Sequence, residues 1–160
     1  MKKTLLILVA IATMTMLYSC GGGNIYENKD FKYSVALPEG FMPQNQDAAM
    51  EAERGGKLFV KDGCMVDCTA KKMDYKYITA EESLKQGFEI AKPIGGEVIS
   101  SEQKDDHYVV KYQDSFGYRA NCEVQKNGVS LHVHFTYPVE HKAEFDKDVD
   151  AVMNSVKIEE

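Results

Sequence analysis

The pair Asn127-Gly128 constrains this 160-residue chain more than any other feature. A two-residue hairpin turn needs positive φ at its central positions, and Asn-Gly supplies that at least cost. The residues on either side alternate. Tyr118, Ala120, Cys122 and Val124 precede the turn, and Leu131, Val133, Phe135 and Tyr137 follow it. A two-residue turn sets Lys126 opposite Val129, and the register follows by counting outward. Glu123 then faces His132, Cys122 faces Val133, Asn121 faces His134, and Arg119 faces Thr136. One face carries the apolar set. The other carries Arg119, Asn121, Glu123 and Gln125 against Ser130, His132, His134 and Thr136. A slip of one residue would turn the polar set inward, so the segregation supports the register.

The two-residue period runs through most of the chain. Phe31, Tyr33, Val35 and Leu37 alternate with small or polar residues up to Pro38-Glu39-Gly40. Residues 57–61 and 64–72 flank Asp62-Gly63, another two-residue hairpin turn. Residues 97–103 and 107–113 flank Lys104-Asp105-Asp106, a longer hairpin. Residues 44–47 read as loop, and residues 48–54 fit a short helix or a strand. Two segments keep a helical period. Residues 79–92 open on Thr79-Ala80-Glu81-Glu82, which fits a capping box. Ala80, Leu84, Phe88 and Ala91 share one face, and Pro93 ends the segment. From Glu140 to about Val156, the residues Phe145, Val149, Val152, Met153 and Val156 form a stripe at helical spacing. The expected class is α+β: an antiparallel sheet of about six to seven strands packed with a central and a C-terminal helix.

The segment Phe31-Lys32-Tyr33-Ser34-Val35-Ala36-Leu37-Pro38-Glu39-Gly40-Phe41 resembles the opening strand of PsbP-like domains, which ends in Pro-x-Gly-aromatic. The central helix, the meander of strands and the final helix near Asn154-Ser155-Val156 match that family's order. The resemblance covers residues 30–158, and it implies an α-β-α sandwich around an antiparallel sheet. Relatives of that fold serve as photosystem assembly subunits, envelope lipoproteins and a nuclear transport factor. The resemblance therefore implies a binding or accessory module more than an enzyme, since fold alone does not set function.

The N-terminus carries a different signal. Lys2-Lys3 precede fourteen almost wholly apolar residues, Thr4 to Leu17. A bilayer crossing needs roughly 20, so the pattern is that of a secretory signal peptide. Leu17-Tyr18-Ser19-Cys20 resembles the bacterial lipobox in Leu17, Ser19 and Cys20 and departs from it at Tyr18. The expected organisation is a signal peptide over 1–19, a lipidated flexible tether over 20–29, and one PsbP-like globular domain over 30–160. Lipidation is expected at Cys20, with acyl chains such as palmitate as the membrane attachment; stable anchoring needs more than one chain. Gly21-Gly22-Gly23 then reads as flexible linker. Lipoproteins bound for the cell surface often carry acids just after the cysteine. Here the first acid is Glu27, so a periplasm-facing position in the cell envelope is expected. Loss of Lys2 and Lys3 with the signal peptide takes the formal net charge from −6 to −8. That balance argues against nucleic acid, whose phosphates are bound by lysine and arginine.

Cys64, Cys68 and Cys122 remain beyond the anchor. Residues four apart on one strand lie about 13 Å apart, and a disulfide needs Cα atoms within about 7 Å. Cys64 and Cys68 are therefore not expected to bond each other. The open readings are small buried hydrophobes, a cross-strand disulfide from Cys122 to Cys64 or Cys68, and a reactive or metal-binding thiol. The polar hairpin face is the candidate ligand or partner surface, with Glu123, His132, His134, Asn121 and Arg119. Glu123, His132 and His134 are also weak candidates for zinc, because imidazole and carboxylate suit that ion. Arg119 and the lack of a fourth ligand weigh against metal, and a solvated face with a His–Glu pair is the plain alternative. No cofactor is expected. No serine–histidine–acid set, phosphate-cradling loop or His-Glu-x-x-His motif occurs, so an envelope hydrolase or redox enzyme ranks below a binding module.

Overall fold

The computed structural model describes residues 24–160, so the expected signal peptide and Cys20 lie outside the described residues. Two small strands open the fold, β1 (Ile25–Asn28) and β2 (Tyr33–Ala36), followed by β3 (Met42–Pro43) and the helix α1 (Ala48–Arg54). The hairpin β4 (Leu58–Lys61) and β5 (Cys64–Lys72) leads to α2 (Ala80–Ala91). Four strands then meander: β6 (Glu97–Gln103), β7 (His107–Asp114), β8 (Gly117–Lys126) and β9 (Val129–Tyr137). A short 3-10 turn (Val139–His141), α3 (Lys142–Ser155) and β10 (Lys157–Ile158) close the chain. Seven strands form an antiparallel sheet in the order β3-β4-β5-β9-β8-β7-β6, and a small sheet has the order β1-β2-β10. This is the α+β architecture expected from the sequence.

The turns set the register. Asn127 and Gly128 have φ of 52° and 74°, the positive pair a tight hairpin requires. Lys126 pairs with Val129, Glu123 with His132, Asn121 with His134 and Arg119 with Thr136. Each pairing is the one counted out from the turn.

The inner face of the large sheet packs on α3 and the small sheet. Val66, Cys68, Ala120, Val133 and Phe135 meet Phe145, Val149 and Val152 there, all essentially without exposure. Tyr33, Val35 and Leu37 close the same core. Lys111 also points to this side and is buried. Its ammonium donates to Asp150 at 2.7 Å and Asp146 at 3.4 Å on α3. The outer face is covered only in part. α2 lies over β7 and β8, packing Leu84 and Ala91 on Tyr108, Val110 and Tyr112. Thr79 and Glu82 complete the capping box that starts this helix.

One segment differs from the sequence reading, and two alternatives left open there are decided. Ile25–Asn28 form a strand, although 20–29 was expected as tether. They pair with β2, and Tyr26 sets its ring edge-on to Tyr33 and Phe59, at 5.9 and 5.1 Å. Residues 48–54 resolve to a helix, capped by Asp47 at the start and by left-handed Gly55 at the end. The cross-strand disulfide is excluded. Cys64, Cys68 and Cys122 are free and buried. Cys68 and Cys122 flank the same Val133 on opposite sides, so a whole strand separates them, about 9.5 Å. Burial pushes the Cys64 thiol up to about 11 and the Cys68 thiol up to about 12, which leaves them as protonated small hydrophobes.

Candidate functional site

The outer face of the β8–β9 hairpin carries the residues singled out by the sequence, and α2 divides them into two groups. Glu123 belongs to the covered group and is only 3% exposed. Its Oε1 accepts from Ser130 Oγ at 2.6 Å and from Gln125 Nε2 at 2.7 Å. Tyr108 stands next to this carboxylate, and burial, with the Glu123 charge second, raises the Tyr108 pKa. Gln125 Nε2 reaches up to Ser83 Oγ on α2 at 3.2 Å, and Asn121 Nδ2 donates to the Ala91 carbonyl at 2.9 Å. The expectation that this whole face is solvated is therefore corrected at Glu123: the helix covers it, and sheet hydroxyl and amide groups replace water. Gly87 makes the close approach work. A Cβ there would sit 2.8 Å from Glu123 Oε2 and 3.1 Å from Tyr108 Cε1.

His132, His134 and Arg119 form the open group. His132 Nε2 lies 3.1 Å from Ser130 Oγ and 3.6 Å from Glu123 Oε1. His134 Nε2 is buried without a hydrogen-bond partner. Both imidazole pKa values are lowered, first by burial. Lys71 adds to the shift at His132 and Arg119 at His134, while Glu123 and Asp67 oppose it. Arg119 pairs through Nε with Asp114 at 2.7 Å and reaches Thr136 Oγ1 at 3.3 Å. Between the edge of α2 and β5–β9 runs a cleft of ≈ 480 Å³. Lys71, Gln86, Ile90, Asn121, His132 and His134 line it above Glu123.

The arrangement limits the chemistry. Among the described residues no group of three His, Cys, Asp or Glu side chains is placed to hold a metal ion. Glu123 Oε1 is taken up by two donors, and His134 stands one pair further along, opposite Asn121. Glu123, His132 and His134 thus share a face without converging on a point. Ser130, Glu123 and His132 do touch, and the Ser130 hydroxyl donates to the carboxylate, but Ser130 has no exposed surface. A hydroxyl so enclosed is out of reach of a substrate, whatever base stands beside it. What remains is a cleft with an ammonium, two imidazoles, amides and one branched apolar side chain, a set suited to binding. The sequence reading missed Lys71, Gln86, Ile90 and Tyr108. One signal for them was present: Gly87 in mid-helix costs roughly 0.5–1 kcal/mol relative to alanine, and that cost points to a close approach on that side.

No family model matches the chain, and no curated protein does. Solved structures do. The chain is similar to the solution structure of cyanobacterial PsbP (CyanoP) from Synechocystis, with a TM-score of 0.65 and 13% identity. That match covers 89% of this chain and 99% of the other. A protein from Bacteroides thetaiotaomicron matches with a TM-score of 0.53 and 14% identity over 88% of this chain. The present chain spans about half of that protein, 49% of its length. At such identities the likeness concerns the fold, and the fold is PsbP-like.

Proposed function

We propose that the protein is an envelope lipoprotein, anchored through Cys20 and facing the periplasm, whose domain binds a protein partner or small ligand in the cleft beside α2. The observation that carries the binding reading is the half-covered outer face, where a cleft of ≈ 480 Å³ opens beside α2 with Lys71, His132 and His134 in its lining. A concave site with a few convergent polar groups is the usual form of a ligand-binding site. The anchor reading is supported by Leu17-Tyr18-Ser19-Cys20 at the end of a charged and then apolar leader.

Two measurements test the two halves separately. Cys20→Ser should abolish lipid labelling and release the chain from membranes; continued partition after a high-salt wash removes the anchor reading. The released form should capture a reproducible envelope component, and the double change His132→Ala with His134→Ala should lose it. Capture unaffected by the double change places the binding surface elsewhere.

A further inference from the structure

The two ends of the large sheet differ in their exposed side chains. At one end the hairpin turns are polar, Lys104-Asp105-Asp106 between β6 and β7 and Asn127-Gly128 between β8 and β9, and the β5–α2 link adds the exposed Tyr77. The other end has the polar Asp62-Gly63 turn, but its remaining tips carry aliphatic and phenyl side chains. Ile94, in the link from α2 to β6, is fully exposed at 106%. Phe116, between β7 and β8, is 77% exposed, and Val139, just after β9, is 56% exposed. The outer-face row nearest this end adds Met42 and Met65. Pairing runs across it from Met42 through Val60, Met65, Thr136, Arg119 and Tyr112 to Val98. Phe116 is braced there, with its backbone N–H on Asp114 Oδ1 at 2.8 Å and the Arg119 guanidinium 5.8 Å from its ring. Apolar side chains gathered at one end and left in water mark a docking surface.

The chain enters the domain at this same end. The Asn24 carbonyl accepts from Leu37 N at 2.8 Å, and β1 runs away from this end beside β2. Two residues beyond Leu37, the Glu39 carbonyl accepts from Lys61 Nζ at 2.8 Å, next to the Asp62-Gly63 turn. Gly63 in turn abuts Pro138, the residue before Val139. Only Gly21, Gly22 and Gly23 separate Cys20 from Asn24. Four residue steps span at most about 14 Å when extended.

Resting on the lipid-anchor reading, we propose that this end of the domain docks on the bilayer that holds the Cys20 acyl chains, with Phe116, Ile94 and Val139 entering the lipid interface. The short link sets the sheet end-on to the membrane and turns the α2 cleft sideways, where a partner can reach it. The rim holds both signs, Lys61, Lys92 and Lys142 against Glu39, Asp62 and Glu140. Contact therefore depends on apolar burial and resists salt, unlike a basic patch on anionic lipid.

The chain has no tryptophan, which makes the test direct. Phe116→Trp and, at the far end, Tyr77→Trp are prepared separately in the full-length lipidated protein. Each is bound to phosphatidylethanolamine–phosphatidylglycerol vesicles with brominated acyl chains. Tyr77 is 87% exposed in the link before α2. The Phe116→Trp protein is expected to blue-shift and lose emission to bromine, while the Tyr77→Trp protein does neither. Equal quenching of both, or of neither, in a protein that floats with vesicles and carries acyl mass on Cys20 overturns the docking and leaves the anchor standing. Absence of acyl mass removes the anchor and the docking together. A concentration-dependent blue shift of Phe116→Trp without vesicles assigns the tips to a second copy of the chain and also overturns the proposal.

Discussion

Beneath α3 the sheet presents Val66, Cys68, Ala120, Val133 and Phe135, and the single charge there, Lys111, is held by two aspartates. Beneath α2 the same strands present Glu123, Gln125, Asn121 and Ser130 beside Tyr108 and Val110. The first face is filled by close-packed apolar volume and leaves nothing free. The second is filled by a hydrogen-bonded carboxylate under a glycine-notched helix, and it ends in an open cleft. The difference shows where this fold keeps its stability and where it keeps room for chemistry. An apolar core tolerates no gap, whereas a polar layer stays intact only if each group finds a partner.

The comparison is broken most forcefully on the α3 side. Phe145→Ala should cost about 3–5 kcal/mol, read as a large fall in the denaturation midpoint and melting temperature. An unchanged melting curve would mean that α3 does not hold the sheet. Glu123→Ala is the matched probe under α2. It removes the acceptor shared by the buried Ser130 hydroxyl and Gln125 amide, leaving each a single longer contact, to His132 and Ser83, for about 1–3 kcal/mol. Glu123→Gln, which keeps an acceptor, should lose less. If the two changes cost the same, the carboxylate acts through packing alone.

The smallest effect lies on the open half. His132 and His134 have lowered pKa values in the folded protein, so the unfolded chain binds more protons near its value of about 6.5. Their contribution to stability is then complete above that pH. It is lost as the pH falls from there toward the lower folded values. Replacing both histidines by glutamine should leave the fold intact, since both rings point away from the α3 core, and should flatten the melting temperature between about pH 7.5 and about pH 5. An unchanged slope would place the acid sensitivity elsewhere.

Much of this was legible in the chain because the signals are local. Asn127-Gly128 and Asp62-Gly63 specify their own turns, and two-residue alternation then divides the strands of those hairpins into an inner and an outer face. Thr79 with Glu82 writes its own helix start. Glu123, His132, His134, Asn121 and Arg119 were placed on one face by counting, and they share it. Ile25–Asn28 escaped because a four-residue strand has too little pattern; its partners are Tyr33, nearby, and Phe59, far along the chain.

The sequence by itself determined the register of the β8–β9 hairpin, the two helical stripes and the segregation of polar from apolar faces along that hairpin, since each depends on residues a few positions apart. Only the tertiary structure decided that α2 lies across the polar face, burying Glu123 and leaving His132 and His134 at a cleft. Only it brought Ile94, Phe116 and Val139 to the end where Asn24 enters. Those outcomes depend on which elements pack together across dozens of residues, and period and propensity carry no term for that distance.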